Sequence, residues 1–344
     1  MFKRYFHSRE RYFAMLNDNR VVHPFEWGAE LIVENLNGVD PHTALSELAN
    51  EWVERSTDVF SSRSAISYEL SAISYSGRAA GQLIWPSAIE TPSPENNTAR
   101  AHYFPNGKDR RAAIVILPHW NAKAGTYFDL AKIFNQLGMS ALRMTLPYHE
   151  ERMPPELERA EYLVAPNVGR TLQSVRQAVL DTRAAVHWLK EQGYEKIGLV
   201  GTSIGSCTGF LAFVHDPDID AAVFNHVSGY FSDVVWNGLS TYHVRESLET
   251  AVTLEELRKL WMPISPMAYM PKLASQPWRP QRYIYTRCDL TFPYGLSLDT
   301  MAQLRSLNIK HDEVVLPCGH YTLGQKPWVW IDGWKIVSFL RRAL

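Results

Sequence analysis

The chain has 344 residues, which is enough for one large α/β domain with insertions or for two domains. Its 35 basic and 36 acidic side chains give a net charge of -1, which argues against a basic nucleic-acid-binding surface. The longest wholly apolar stretch runs only from Ala112 to Leu117, far short of the roughly 18 residues that a membrane-spanning helix needs.

Residues 1 to about 60 are predicted to form an N-terminal arm with one helix. Thr43 to Val53 carries apolar residues at helical spacing, and Asp40-Pro41 before it is a typical helix start. Extended segments are predicted at 66–70, 80–84 and 99–104, with a turn-rich stretch before the last of them. We therefore expect residues 1–95 to contain the arm and the leading strands.

From Ala112 onward, short apolar runs alternate with helical ones, as in a parallel sheet with crossover helices. Helices are predicted at Thr126 to Leu137 and Thr171 to Gln192, each ending just before or at a glycine. The fold class is therefore α/β, with a mostly parallel wound sheet flanked by helices. The predicted strands are 112–117, 140–145, 196–200, 221–225, 282–286 and 311–316.

Residues 230–280 break this alternation because they are rich in aromatic residues and prolines, with one predicted helix near Leu254 to Trp261. They lie between two predicted strands, so we interpret them as a helical lid inserted over the carboxyl ends of the strands. Residues 96–229 and 281–344 would then form the core.

The segment Gly201-Thr202-Ser203-Ile204-Gly205 follows a predicted strand directly and opens a predicted helix. A serine on such a tight turn presents its hydroxyl above the sheet, and flanking glycines let neighbouring backbone approach closely. The pattern therefore indicates a nucleophilic serine, although a turn without chemistry can carry the same letters.

At these residues the sequence resembles the α/β-hydrolase superfamily, in its serine esterase-like branch, over about residues 100–344. The resemblance implies an α/β-hydrolase fold and a catalytic trio in the chain order serine, acid, histidine. Asp289 follows the predicted strand at 282–286, and His320 follows the strand at 311–316, so Ser203, Asp289 and His320 are the expected trio. Asp299, within a probable helix, and Asp312, within a strand, are the rival acids.

His119 stands where the superfamily usually has a His-Gly pair leading into the oxyanion hole, but Trp120 replaces the glycine. We expect the oxyanion hole to use the backbone N–H of Ile204 together with that of Asn121 or Trp120. A plain turn role for His119 is an equal alternative. The side chains predicted to line the substrate pocket are His119, Tyr148, His149, Trp236, Tyr242 and His243.

The resulting hypothesis is a serine hydrolase that cleaves a small-molecule or polymer-borne carboxylic ester through an acyl-enzyme. Alternatives are a thioesterase, lactonase or peptidase with the same trio, or a non-catalytic binding protein on this fold. Acyl transfer needs no cofactor, and His149-Glu150-Glu151 lacks metal-ligand spacing, so no metal is expected. With three cysteines and no visible secretory signal, a cytoplasmic protein is expected, although a secreted protein without its leader would look the same.

Overall fold

The computed structural model describes residues 2–16, 18–61, 66–75, 78–107 and 109–344, and one sheet of nine strands organises them. The strands β1 to β9 are Glu69–Tyr75, Arg78–Pro86, Thr98–Phe104, Ala112–Leu117, Ser140–Thr145, Lys196–Thr202, Ala221–Asn225, Gln281–Thr286 and Asp312–Leu316. Their order in the sheet is β1-β2-β3-β5-β4-β6-β7-β8-β9. The first three strands pair antiparallel, as does β3 with β5, and the pairs from β5 to β9 are parallel. The predicted mostly parallel sheet is confirmed.

Helices cover both faces of this sheet, which explains why β4, β5, β7 and β8 are buried at every residue. The helices α1 to α12 are Phe2–Met15, Pro41–Glu54, Ser56–Val59, Phe128–Gln136, Val168–Glu191, Ile204–His215, Phe231–Asn237, Tyr242–Leu248, Leu254–Leu260, Met270–Ala274, Tyr294–Ser306 and Trp328–Ala343. Side chains of α2, α5, α6, α7 and α9 share one apolar cluster, and those of α4 and α12 share another with Phe6 of α1. No helix in the described ranges is long and apolar enough to cross a membrane.

The N-terminal arm contains the predicted helix, α2, together with α1 and the short α3. Helix α2 begins after Asp40, whose carboxylate accepts hydrogen bonds from the backbone N–H groups of His42 and Thr43, both at 3.1 Å. Helix α1 was not predicted, because its buried face carries a glutamate between Phe6 and Ala14 and so shows little apolar periodicity.

The 230–280 insertion contains α7 to α10 and packs on the core. Leu257, Trp261 and Tyr269 belong to the main apolar cluster and are buried. This part of the insertion is therefore built into the molecule, and only its beginning reaches the cavity described below. The division of the chain into 1–95, the core and a lid stays a prediction.

Candidate active site

Ser203 lies on a sharp turn between β6 and α6, where its backbone adopts φ 58° and ψ -122°. The flanking glycines make this turn possible. A Cβ atom on Gly201 would lie 2.1 Å from the carbonyl oxygen of Gly205, and one on Gly205 would lie 2.5 Å from the carbonyl oxygen of Leu117. Such a turn presents the Ser203 side chain at the carboxyl edge of the sheet.

Asp289 and His320 meet at the same edge, after β8 and β9. Nδ1 of His320 donates a hydrogen bond to Oδ2 of Asp289 at 3.2 Å. The other carboxylate oxygen, Oδ1, accepts the backbone N–H groups of Thr291 at 2.8 Å and Phe292 at 2.7 Å. The ring of Phe292 stacks on that of His320, with 5.5 Å between centroids. The imidazole is therefore held by both a carboxylate and an aromatic face, with Nε2 left for another partner.

The charges of this pair stabilise each other. Burial alone raises the pKa of Asp289, but the neighbouring imidazoles of His320 and His226 hold it well below its ordinary value. Burial lowers the pKa of His320, but the charge and hydrogen bond of Asp289, together with the charge of Glu10, leave it raised. Asp289 is therefore ionised, and His320 is a stronger base than an isolated histidine.

His226, which is not among the site residues predicted from the sequence, is a second imidazole beside Asp289. It follows β7 at φ 61°, is 1% exposed, and its Nδ1 lies 2.8 Å from Oδ2 of Asp289 without the alignment of a hydrogen bond. Burial and the neighbouring His320 lower the pKa of His226. Its position after a central parallel strand could have identified it, because such strand ends converge on the site.

One ring nitrogen each from His226 and His320 and one carboxylate oxygen of Asp289 lie within 4.8 Å of one another, so this group could hold a metal ion. A metal ion would take the carboxylate oxygen that now accepts the proton of His320. Metal binding and the His320–Asp289 hydrogen bond are therefore alternatives, and the expectation of no metal stays a prediction.

The three predicted oxyanion donors differ in what their N–H groups contact. The N–H of Asn121 donates to Nε2 of His149 at 2.8 Å, so it is not free for a substrate oxygen, and this part of the prediction is corrected. Within the described residues, the N–H groups of Trp120 and Ile204 meet no acceptor. The N–H groups of Trp120 and Ile204 are therefore left unoccupied by the described part of the chain, and their part in an oxyanion hole stays a prediction.

His149 is buried and His119 is half-buried, and both are neutral near pH 7 because their pKa values are lowered. Since Nε2 of His149 accepts the Asn121 N–H, its proton is on Nδ1, which donates to the carbonyl of Pro147 at 2.9 Å. Burial lowers the pKa of His149 to about 4. Burial and the charge of His320 lower the pKa of His119 to about 3, and its Nδ1 lies 2.9 Å from the hydroxyl of Tyr127. Both histidines shape the loop around Trp120 and neither is poised to exchange protons near pH 7.

A cavity of about 1340 Å³ opens at Ser203 and His320. Of the six predicted pocket residues, His119, Tyr148 and His149 line it. Helix α7 contributes Phe231 and Val234 to its wall, and the N-terminal arm contributes Phe13, Ala14, Leu16, Asp18, Asn19 and Arg20. The arm's part in this wall was not predicted from the sequence.

The other three predicted pocket residues lie elsewhere. His243 is 2% exposed and stacks behind Trp120, with 5.9 Å between ring centroids. Tyr242 donates its hydroxyl proton to Asp18 at 2.9 Å, and the guanidinium of Arg245 covers Trp236. None of the three lines the cavity. On α8, Tyr242 contacts Asp18 of the arm and His243 stacks on Trp120, whereas Trp236 at the end of α7 packs against Arg245.

Solved esterase structures share this fold. Acetyl xylan esterase 1 from Thermoanaerobacterium sp. aligns with a TM-score of 0.62 at 13% identity, covering 86% of this chain and 98% of that one. An acetyl xylan esterase from Paenibacillus sp. aligns with a TM-score of 0.62 at 12% identity, with 86% and 94% covered. For the acylaminoacyl peptidase of Pyrococcus horikoshii the TM-score is 0.54 at 13% identity, with 82% and 42% covered.

No family model matches the chain, and no curated protein matches its sequence. At these identities the structural likeness establishes the fold, and the predicted α/β-hydrolase fold is confirmed.

Proposed function

We propose that this α/β-hydrolase-fold protein is a serine-dependent hydrolase of carboxylic esters. The observation that carries the proposal is the strained turn at Ser203, which opens into the same cavity as an imidazole paired with a buried carboxylate. Ser203 is the proposed nucleophile, His320 the base, and Asp289 the group that orients His320.

In the proposed reaction, Nε2 of His320 takes the hydroxyl proton of Ser203 while Oγ attacks the ester carbonyl carbon. The carbonyl oxygen becomes an oxyanion that accepts the N–H groups of Ile204 and Trp120. The carbon–alkoxy bond then breaks, the alcohol leaves with the proton from His320, and an acyl-Ser203 ester remains. Water attacks this ester with His320 again as the base, which releases the carboxylic acid and restores Ser203.

Asp289 supports both halves of this cycle because it is held ionised. Its Oδ1 is saturated by two backbone N–H groups, so Oδ2 is left to fix the tautomer of His320 and to stabilise the imidazolium that each proton transfer creates. The rival acids Asp299 and Asp312 do not meet this need. Asp312 instead pairs with Arg282, and Asp299 is exposed on α11.

The proposed substrates are esters with a compact acyl group. Trp120 and the side chains of Tyr148, Phe231 and Val234 give the cavity a mainly apolar wall near Ser203. Two of the solved structures with this fold are acetyl xylan esterases, which makes acetylated sugars and aryl acetates the first substrates to assay.

Ser203→Ala should lower kcat for aryl acetate hydrolysis by at least about 10⁴-fold, because the covalent step is lost. Alanine has the same backbone preference as serine at this turn, so the melting temperature should stay near that of the wild type. A fluorophosphonate probe should label the wild type at Ser203 and leave the variant unlabelled, as read by peptide mass spectrometry. The matched control, Ser306→Ala on the exposed face of α11, should label like the wild type.

Retained ester hydrolysis in Ser203→Ala would contradict the proposal. A wild-type protein that neither hydrolyses esters nor reacts with the probe would favour a binding protein on this fold.

A further inference from the structure

Glu10 of α1 is buried in the middle of the molecule, next to the loop that carries His320. Its side chain is 0% exposed. Oε2 accepts the backbone N–H of Tyr321 at 3.0 Å, and Oε1 accepts that of Thr322 at 2.8 Å. One carboxylate thus holds the two residues that directly follow His320, across more than 300 positions of sequence.

The loop is shaped to receive this carboxylate. A Cβ atom on Gly319 would lie 2.4 Å from Cδ of Glu10 and 2.6 Å from the carbonyl oxygen of Cys288. The N–H of Gly319 is turned the other way and donates to Oγ1 of Thr322 at 2.8 Å. The residue before His320 is therefore a glycine because Glu10 occupies the space that a side chain would need.

A second residue of the arm, Arg20, contacts the side chain of Tyr321 in the same loop. The guanidinium of Arg20 donates to the hydroxyl of Tyr321 at 3.3 Å and to the carbonyl of Ser240 at 3.2 Å. The hydroxyls of Tyr321 and Ser240 lie 2.7 Å apart. The arm therefore contacts both the backbone of the His320 loop and the side chain of Tyr321.

Packing alone does not explain a carboxylate at this position. Burial raises the pKa of Glu10, which means that desolvating the charge costs free energy that the two N–H bonds recover only in part. A neutral acceptor would avoid that cost. What the charge adds is an attraction for protonated His320, the state that forms when the imidazole takes a proton from Ser203.

We propose that Glu10 is a positioning residue that fixes the His320 loop and supports the imidazolium, so that the N-terminal arm completes the active site. This inference rests on the proposed function, since it assigns Glu10 a part in the same proton transfers. Glu10 does not touch the reacting atoms, and it acts through His320 and the loop backbone.

Several titratable groups from different elements face His320 or Glu10, and any of them could move with pH. They are Asp289, His226, His119, Cys288 and Cys318. His226 and His119 are neutral near pH 7 because their pKa values are lowered, and burial raises the pKa of both thiols. Among these groups, Asp289 and Glu10 are the carboxylates whose charges raise the pKa of His320.

The test is Glu10→Gln, which keeps the size of the side chain and removes the charge and one acceptor. We expect kcat to fall by about ten- to a hundred-fold with KM nearly unchanged, because the base is misplaced while the cavity is intact. The ascending limb of the rate–pH profile should move to lower pH by about half a unit, because a negative charge near His320 is lost.

The matched control is Glu161→Gln. Glu161 is also buried and also holds the arm, through His23 at 2.5 Å, but it does not contact the His320 loop. The Glu161→Gln variant should keep kcat and the pH midpoint close to those of the wild type. Wild-type kinetics in Glu10→Gln, or a loss of kcat without any shift of the midpoint, would overturn the proposal and leave Glu10 a packing role.

Two further measurements keep the test decisive. If Glu10→Gln does not fold, Glu10→Asp retains the charge with a shorter reach. Its pH midpoint should stay near that of the wild type while kcat falls, because the loop is held less firmly, and a lowered midpoint in that variant would overturn the proposal. A nuclear magnetic resonance titration of the His320 ring in both proteins measures the effect of Glu10 without any substrate. A lower imidazole pKa in Glu10→Gln would therefore support the placement of Glu10 even if ester hydrolysis failed, and an unchanged one would contradict it.

Discussion

Replacing Asp332 by asparagine should make the protein more stable at neutral pH and should flatten the pH dependence of its stability. Asp332 lies on α12 and is buried near the carboxyl end of β7, where Oδ2 accepts one hydrogen bond from the side-chain amide of Asn225 at 2.9 Å. Within the described residues, Oδ1 of Asp332 has no donor. Burial therefore raises the pKa of Asp332 from 3.8 to about 7.

The sign of the effect follows from which state binds the proton more tightly. Between pH 3.8 and about 7 the folded protein keeps a proton on Asp332 that the unfolded chain has lost, so stability falls as the pH rises. A shift of about three units corresponds to about 4 kcal/mol once both states are ionised. Between pH 5 and pH 8 the wild type should lose about 2 to 3 kcal/mol through this group.

The assay is urea unfolding of the wild type and Asp332→Asn at pH 5, 6, 7 and 8. The difference in unfolding free energy should grow with pH in favour of the variant, because asparagine never acquires the charge. Asp299→Asn, on the exposed surface of α11, is the control and should follow the wild type at every pH. Parallel curves for the wild type and Asp332→Asn would refute the reasoning.

The remaining predictions concern the proposed catalytic groups. Asp289→Asn should lower kcat for aryl acetate hydrolysis by about 10⁴-fold, because it offers His320 the wrong tautomer. Asp312→Asn removes the carboxylate that pairs with Arg282 and should lower kcat only slightly. A large loss of kcat in that variant would contradict the assignment of Asp289 as the acid. The rate kcat/KM measured from pH 5 to pH 9 should rise through a single limb with its midpoint above the ordinary 6.5, since Asp289 and Glu10 raise the pKa of His320 more than burial lowers it. A flat profile would exclude a histidine base.

The parallel part of the sheet was predictable because its strands are short and mostly apolar. The bounds of β4, β5 and β7 agree with the prediction residue for residue, although β5 carries Arg143 within its apolar run. Ser203, Asp289 and His320 could be proposed because each lies within a few residues of the end of a predicted strand, and parallel strand ends meet at one edge. Their roles were inferred from the resemblance to the α/β-hydrolase superfamily and its chain order of serine, acid and histidine.

The pocket could not be predicted in the same way, because its walls depend on tertiary packing. Tyr242 and His243 follow α7 in the insertion, but which way their rings turn is decided by contacts with the arm and Trp120. The Asn121 N–H is lost to His149, a residue on another loop. Neither contact can be inferred from neighbouring residues in the sequence. The most distant contacts come from helix α1, which could not be predicted because its apolar pattern is weak.

Three buried carboxylates lie around the site, and their pKa shifts follow the donors and imidazoles that each one contacts. Asp289 accepts two backbone N–H groups and faces His320 and His226, and its pKa is lowered despite burial. Glu10 accepts two N–H groups, and burial still raises its pKa. Asp332 accepts a single amide, and its pKa reaches about 7. Donors and neighbouring imidazoles replace the lost water most fully at Asp289, less fully at Glu10 and least at Asp332, which titrates near neutral pH.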